Sequence, residues 1–279
     1  MSDSSPIICK PTKWFIWRAV AMLVMFSVFA GLFVKDGIWG YKEENLHWYL
    51  KKSFDQAGAE FQRLQEEKGD AFSEAVWADF AKEQKVKFSD EAEQVLPEGT
   101  EVVQSWPQEL IDGFALMDEK GGQNGAQKIW EDYTKAKSWD AEVAEKAHTP
   151  WKIKEQFVAA SVAGALIAIT LFFLIRTLRR NITADDQALH TQDGRTIAYT
   201  DMVKIDKRKW DTKGLAIVHY KDGEEEKTAK IDGMVYGQFK EEDGAPAEKL
   251  FARVMENFKG EVIEYVEEDE EDEEDESEE

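Results

Sequence analysis

The sequence predicts a membrane protein with two transmembrane α-helices, an α-helical bundle between them and a small α+β domain after the second. Two apolar runs, residues 14–34 and 155–176, are about as long as a membrane span. Between them apolar residues recur every three or four positions, as in helices, whereas later apolar residues form short alternating runs typical of strands. The predicted remaining segments are an N-terminal segment (1–13), a bundle (35–154), an α+β domain (181–265) and a disordered acidic tail (266–279).

The second apolar run is the clearer of the two. Phe157 to Ile175 contains no charged side chain. At about 1.5 Å per residue, this run approaches the ~30 Å hydrocarbon core of a bilayer. It ends at three basic residues that we expect at the membrane flank: Arg176, Arg179 and Arg180.

The first apolar run admits two interpretations. A basic segment followed by an apolar one also describes a cleaved signal peptide. However, the apolar stretch from Phe15 to Val34 exceeds the usual apolar region of about 7–15 residues. Trp14 and Trp17 also suit the aromatic belt of a membrane interface. The sequence therefore favours an uncleaved span.

Basic residues near the spans indicate the orientation, because cytoplasmic flanks carry an excess of Lys and Arg. The flanks outside the two spans hold Lys10, Lys13, Arg18, Arg176, Arg179 and Arg180. The flanks of the intervening segment hold Lys35, Lys42, Lys146, Lys152 and Lys154, interleaved with acidic residues. This small difference predicts that both termini lie in the cytoplasm.

Small residues at four-residue spacing form a stripe on the second span: Ala160, Gly164 and Ala168. Such stripes allow helix backbones to approach closely, so a homo-oligomer or packing between the spans is one interpretation. Chance is the other, because Ala and Gly are common in membrane helices.

The intervening segment predicts a small helical bundle. Leu50, Phe54, Phe61 and their apolar neighbours lie on one face of a long helix. Further amphipathic patterns predict a second helix capped by Asp70, a third around Leu110, Phe114 and Met117, and a fourth that begins after a loop at residues 121–125 and continues past Trp139. The aromatic residues of this segment have two interpretations: they fill the core of the bundle, or they line a groove that binds a ligand. The sequence favours the first interpretation.

The segment after the second span predicts five strands and a closing helix. The pairs Asp193-Gly194 and Asp222-Gly223 indicate two hairpin turns. The strands lie at 188–191, 195–199, 202–210, 215–221 and 227–231. Ala247, Leu250, Val254 and Phe258 then mark one face of a helix.

This order resembles the bacterial PH-like domain family. The residues that carry the resemblance are the runs 193–199 and 201–210 and Lys213-Gly214-Leu215. The run 36–41 after the first span resembles a feature of an uncharacterised two-span bacterial membrane protein family. The resemblance implies scaffolding or binding and transfers no catalytic residue. A complete PH barrel has seven strands, two more than the sequence shows.

A basic segment in this domain is the predicted contact surface for anionic lipid headgroups or a protein partner. Its members are Lys204, Lys207, Arg208, Lys209, Trp210 and Lys213. Basic side chains near a membrane surface attract anionic lipids. The alternative is a solvated turn whose charge is balanced by Asp201, Asp206 and Asp211.

The charge distribution excludes nucleic acid as a partner. The net charge is −22, and twelve acidic groups lie in residues 267–279. Without them, 45 acidic side chains still exceed 35 basic ones, whereas affinity for phosphate backbones needs Lys and Arg. The acidic tail is either simply solvated, or it binds basic proteins or divalent cations, or it folds over residues 204–213 and competes with lipid.

A single cysteine, Cys9, excludes an intramolecular disulfide and any site built from several cysteines. We expect Cys9 to be an unmodified thiol in a mobile N-terminus; acylation next to the membrane is the alternative. The isolated His47 and His148 give no metal-binding pattern, so the sequence predicts no metal or other cofactor.

Three functional hypotheses remain. The first is a non-enzymatic membrane scaffold or interaction protein that links the bundle to the α+β domain. The second is an accessory subunit of a transport or secretion complex. The third is a membrane-anchored enzyme, which the sequence disfavours because no catalytic grouping or nucleotide-binding motif is evident.

Overall fold

A computed structural model describes residues 5–265, apart from the side chain of Asp243. The chain forms two compact units. Of the described residues, the strand-rich unit contains 5–25 and 166–265, and the helical unit contains Phe26–Ala165. The predicted acidic tail lies outside the described residues.

Two helices are long and apolar enough to cross a membrane: α1 (Lys13–Lys35) and α8 (Pro150–Leu178). In their most apolar stretches only 6% and 11% of the residues are buried, respectively. A helix in the core of a soluble protein would instead be mostly buried. Helix α8 begins at Pro150, five residues before the predicted span at 155–176. A π-helical segment, Asp36–Gly40, continues α1 into the next helix.

The helical unit contains six further helices within the described residues. They are α2 (Tyr41–Lys68), α3 (Glu74–Glu83), α4 (Ala92–Val95), α5 (Gln108–Ile111), α6 (Phe114–Lys120) and α7 (Gly122–Ala136). The predicted apolar face of α2 is confirmed: Leu50, Phe54 and Phe61 are buried in one core with Trp77 and Trp130.

Three details of the helices predicted for this unit are wrong. Asp70 does not cap α3, because Ser73 precedes the first turn. The third helix is broken into α5 and α6 at Gly113. The fourth ends at Ala136, before Trp139, and Ser138 there adopts a positive φ of 57°.

The predicted glycine-rich loop at residues 121–125 is also wrong, because α7 begins at Gly122. A Cβ atom on Gly122 would lie 2.4 Å from the carbonyl oxygen of Gly58 on α2. A Cβ atom on Gly125 would lie 2.4 Å from the Cα atom of Met117. These glycines therefore allow close contact between helices.

The strand-rich unit contains eight described strands in two four-stranded sheets. The first sheet is antiparallel and contains β1 (Ile7–Cys9), β2 (Ile182–Ala184), β3 (Ala188–His190) and β4 (Thr196–Ala198). The second contains β5 (Met202–Lys209), β6 (Leu215–Asp222), β7 (Glu225–Asp232) and β8 (Glu261–Ile263). Its order is β7-β6-β5-β8, with β8 parallel to β5.

Two helices complete this unit: α9 (Trp210–Lys213) and α10 (Pro246–Asn257). Both sheets and α10 share one hydrophobic core, which includes Leu189, Ile205, Val218 and Val254. The five predicted strands, both hairpins and the closing helix are confirmed. Three strands, β1, β2 and β8, were not predicted.

Candidate functional site

The residues before α1 and those after α8 belong to the same sheet. Strand β1 pairs with β2, with Ile7 opposite Ala184 and Cys9 opposite Ile182. Helix α1 begins at Lys13, four residues after β1 ends, and β2 begins four residues after Leu178, the end of α8. The prediction of a mobile N-terminus is therefore wrong for the described residues.

The segment 232–237, which we call the junction loop, contacts the start of one apolar helix and the end of the other. The backbone N–H of Thr12 donates to the carbonyl of Val235 at 2.8 Å, and the N–H of Gly237 donates to the carbonyl of Lys10 at 2.9 Å. Tyr236 lies close to the side chain of Thr177 in α8, and burial raises the pKa of its phenol. The loop thereby fixes both helices to the strand-rich unit.

Cys9 points into the core of this unit, where it is 1% exposed. Its thiol donates to the carbonyl of Pro246 at 3.2 Å. Burial raises the pKa of the thiol from 9.0 to about 11. Because an acyl chain would have to replace this packing, the structure argues against acylation of Cys9.

The predicted basic contact surface is divided among four environments. Lys204 and Lys207 form ion pairs with the segment at β8: Lys204 lies 3.5 Å from Glu261, and Lys207 lies 2.5 Å from Glu264. The hydrogen bond to Glu264 raises the pKa of Lys207. These two lysines are therefore already neutralised within the chain.

Trp210 does not belong to a contact surface, because its side chain is 3% exposed. Its ring stacks on Phe251 of α10, with 4.1 Å between the ring centroids and 22° between the planes. Phe239 packs against the ring from another direction. The expectation that Trp210 contacts lipid is therefore corrected: Trp210 is a core residue.

Lys213 lies at the end of α9, next to the junction loop. The N–H of Gly233 donates to the carbonyl of Gly214 at 2.8 Å. The following residue, Met234, accepts a hydrogen bond from Thr12 just before α1. The structure thus places the end of the basic segment close to the start of an apolar helix.

Arg208 and Lys209 line a cavity of about 670 Å³ on the second sheet, which we call the basic cavity. Sequence analysis did not predict the other basic residues that line it, Arg195 and Lys230, which come from separate parts of the chain. Its remaining lining is Asp206, Leu215, Ile217, Thr228, Ala229 and Tyr265. In the β6–β7 register Lys230 lies opposite Ile217, which also lines the cavity. A prediction of this register could therefore have identified Lys230 as a residue of the basic cavity.

The cations of the basic cavity are neutralised to different degrees. Arg195 pairs with Asp193, and its Nη1 donates to Tyr220 and to the carbonyl of Thr228. Arg208 donates Nε and Nη2 to Asp206 at 3.0 and 2.7 Å, which lowers the pKa of that carboxyl to about 2.

The two lysines are less neutralised. Lys230 lies 3.6 Å from Asp232. Among residues 5–265, no carboxylate lies within ion-pair distance of Lys209. The cavity therefore presents a surplus of positive charge beside apolar side chains.

The predicted membrane-flank residues lie at the end of α8 and just after it. Arg176 and Arg179 are exposed, and the Nη1 of Arg180 donates to the carbonyl of Gln192 at 2.9 Å. In the predicted oligomerisation stripe, Gly164 is exposed and a Cβ atom there would meet nothing within 4 Å. Ala168 is exposed and Ala160 is partly exposed.

The helical unit has a cavity of about 600 Å³. Its lining includes Gly37, Trp39, Pro97, Ile153 and Phe157. A Cβ atom on Gly37 would lie 3.0 Å from the ring of Phe157, so glycine permits this close contact.

Within residues 5–265, no three His, Cys, Asp or Glu side chains are grouped as a metal site would require. Comparison with known proteins finds no matching family model, no similar curated protein and no similar solved structure.

Proposed function

We propose that this protein is a non-enzymatic scaffold or interaction protein of a bacterial inner membrane. Helices α1 and α8 are the two spans, both termini are cytoplasmic, and the helical unit is extracytoplasmic. One observation carries the proposal: strand β1, before the first span, is paired with β2, after the second. This pairing supports a topology in which the segment before the first span and the segment after the second lie on the same side of the membrane, as two crossings require.

The same pairing supports an uncleaved first span. Cys9 of β1 is buried in the core of the strand-rich unit, and Thr12 is bonded to the junction loop. Cleavage after α1 would detach this strand from the rest of the chain.

The anchor residues that flank the two apolar stretches have the same spacing, and this spacing matches a bilayer. Trp14 and Trp39 are exposed and stand 25 positions apart, as do Trp151 and Arg176 at the ends of the other helix. At about 1.5 Å per residue both distances are about 37 Å, close to the ~40 Å of a bilayer with its interfaces. Aromatic and basic residues are typical anchors at these depths.

The PH-like interpretation of the strand-rich unit remains part of the proposal. It is supported by two packed sheets of four strands whose shared core includes a C-terminal helix. In this proposal the unit binds rather than catalyses. Its lipid contact is the surface next to the spans, formed by Lys213 and the flank arginines Arg176 and Arg179.

Site-specific labelling tests the topology. In a Cys9→Ala background, Val103→Cys and Lys240→Cys each place one thiol at an exposed position. A membrane-impermeant maleimide should label position 103 in spheroplasts and position 240 only in inverted vesicles. Labelling of both positions from the same side, or recovery of the protein in the soluble fraction, would refute the proposal.

An accessory subunit of a transport or secretion complex is the second candidate. The cavity beside Trp39 and Phe157 in the helical unit favours it, because a hollow next to a proposed span, lined by apolar side chains and by charged ones such as Lys42 and Glu98, suits contact with a partner protein at the membrane surface. Extraction in mild detergent should then recover a transporter in stoichiometric amount, and Trp39→Ala should reduce this recovery. Recovery of the protein without a transporter would contradict the subunit hypothesis and favour the scaffold hypothesis.

A further inference from the structure

The cavity of about 600 Å³ in the helical unit lies where the two apolar stretches of the chain end. Trp39, which follows the first stretch, lines it, and so does Phe157, where the charge-free part of the second stretch begins. Their side chains are 57% and 43% exposed, respectively. In the proposed topology this is the level of the lipid headgroups, where aromatic side chains are typical anchors. The cavity therefore lies at the membrane interface.

The lining of this cavity combines apolar side chains with charges of both signs. Its cations are Lys42 of α2 and Lys154 of α8, and its anions are Glu43 of α2 and Glu98, which follows α4. Within residues 5–265, none of these four side chains forms an ion pair. The cavity thus holds two cations and two carboxylates that do not neutralise one another directly.

Charged residues next to the lining are, by contrast, already paired within the chain. Lys152, two positions before Lys154, lies 2.9 Å from Glu155. Glu44, which follows Glu43, contacts Nε2 of His148 at 2.7 Å. The charges that line the cavity are therefore the ones left available to a ligand.

Two cations and two anions favour a ligand that carries both signs of charge. A simple anion would meet the two carboxylates, and a simple cation would meet the two lysines. The headgroup of phosphatidylethanolamine carries a phosphate, which lysine binds as a point charge, and a primary ammonium, which donates up to three hydrogen bonds to carboxylates. Its acyl chains suit the apolar lining at Trp39 and Phe157. A volume of about 600 Å³ is also within the range of about 300–1,000 Å³ for small-ligand sites.

We infer that this cavity binds the headgroup of a phosphatidylethanolamine lipid. Lys42 and Lys154 hold the phosphate, and Glu43 and Glu98 hold the ammonium group. The inference rests on the proposed function, because the two spans place the cavity at the surface of a bilayer. It does not depend on which side of the membrane the helical unit occupies.

Lipid titration of the full-length protein in mild detergent, followed by native mass spectrometry, tests the inference. Three lipids with identical acyl chains are compared: phosphatidylethanolamine, phosphatidylglycerol, which has no ammonium group, and phosphatidylcholine, whose quaternary ammonium has no N–H. Phosphatidylethanolamine should reach half-saturation at a several-fold lower concentration than either of the others. Glycerophosphoethanolamine, the same headgroup without acyl chains, should not displace the lipid at equal concentration.

Two double variants separate the contributions of the two charges. Lys42→Gln with Lys154→Gln should weaken binding of phosphatidylethanolamine several-fold, because the phosphate loses its partners. Glu43→Gln with Glu98→Gln should weaken it to the level of phosphatidylcholine, because the ammonium group loses its carboxylates. Urea unfolding of each variant checks that the fold is retained, and the comparison of lipids in the wild type needs no variant.

Lys146→Gln with Glu93→Gln is the matched control, since it removes one charge of each sign at exposed positions outside the lining. This variant should keep the full preference for phosphatidylethanolamine. A preference lost equally in this control would show a general effect of charge and would overturn the inference.

Other outcomes would also overturn it. Equal binding of the three lipids is the result expected if the cavity receives a partner protein instead. A preference for phosphatidylglycerol would assign the cavity to a purely anionic headgroup, and displacement by glycerophosphoethanolamine would assign it to a soluble ligand. Because detergent micelles have no sides, none of these results would change the labelling pattern at positions 103 and 240. Failure of that pattern would likewise leave a measured lipid preference intact.

Discussion

The hydroxyl of Thr12 donates a hydrogen bond to the carbonyl oxygen of Met234 at 3.0 Å, while it accepts one from the N–H of Phe15 at 3.2 Å. This one side chain therefore caps α1 and attaches it to the junction loop. Thr12→Val keeps the shape of the side chain and removes both interactions. We expect a loss of about 1–2 kcal/mol in the opening free energy of β1, measured by hydrogen exchange and mass spectrometry.

The exposed Thr200 provides the control for this substitution. Thr200→Val should change the opening free energy by less than about 0.5 kcal/mol. Equal protection of β1 in wild type and Thr12→Val would show that the hydroxyl does not hold the strand.

Cys9 makes stability depend on pH in the alkaline range. Its pKa is raised from 9.0 to about 11 in the folded protein, so the unfolded thiol ionises first as pH rises. The stabilisation is complete below pH 9 and is lost as pH rises towards 11. In alkaline denaturation, Cys9→Ala should lose less stability over this interval than the wild type.

The same burial predicts low thiol reactivity. In the folded protein Cys9 should react with a maleimide much more slowly than a thiol introduced by Ile8→Cys in a Cys9→Ala background, because Ile8 is exposed. Rapid labelling of Cys9 without denaturant would contradict the buried position of β1.

Gly122 and Gly58 permit the contact between α7 and α2. Because a Cβ atom on Gly122 would lie 2.4 Å from a carbonyl oxygen, Gly122→Ala should destabilise the helical unit by about 1–3 kcal/mol, despite the higher helix propensity of alanine. Protection of α2 and α7 from hydrogen exchange is the measurement. Gly164→Ala, at a position with nothing within 4 Å, should leave that protection unchanged.

Asn45 is fully buried at the start of α2 and connects three parts of the helical unit. Its Nδ2 donates to the carbonyls of Val95 and His148, and its Oδ1 accepts from the N–H of His148 at 2.6 Å. Asn45→Ala leaves these buried groups unpaired and should cost at least about 2 kcal/mol in urea unfolding of the detergent-solubilised protein. The exposed Asn124 is the control, since Asn124→Ala should be close to neutral.

Lys213 should respond to the lipid around the spans. In nanodiscs of phosphatidylglycerol, its acetylation should be slower than in nanodiscs of phosphatidylcholine, because an anionic surface attracts the ammonium group. Lys221, at the opposite end of β6, should react equally in both. Identical rates for Lys213 in the two lipids would remove it from the proposed lipid contact.

Periodic apolar patterns predicted the long elements well. The face of α2 and the alternation of β5 to β7 were identified because each extends over several repeats of its period. Strands β1, β2 and β8 have three residues each, too few for alternation to be recognised. Strands β3 and β4 are equally short, but the Asp193-Gly194 turn between them indicated a hairpin. The strand conformation of β1, β2 and β8 depends on pairing with distant partners rather than on local sequence.

The candidate site was predicted only in part, for a related reason. The basic segment is visible in sequence, but its division among ion pairs, the core and a cavity depends on the bulges and register of β5. Trp210 illustrates the difficulty: neighbouring lysines indicate a surface, whereas the contact with Phe251 places the ring in the core. The glycines of residues 121–125 indicated a loop because helix packing against Gly58 is a long-range property.

The pairing of β1 with β2 also sets an order for biogenesis. Cys9 is made early, yet its partner Ile182 follows more than 170 residues later. In the proposed topology, both apolar helices are therefore synthesised and inserted into the membrane before β1 can pair with β2. Pairing of β1 with β2 would then occur only in a chain whose two helices have both been inserted. A chain in which insertion stops midway would leave β1 unpaired and exposed to quality-control proteases.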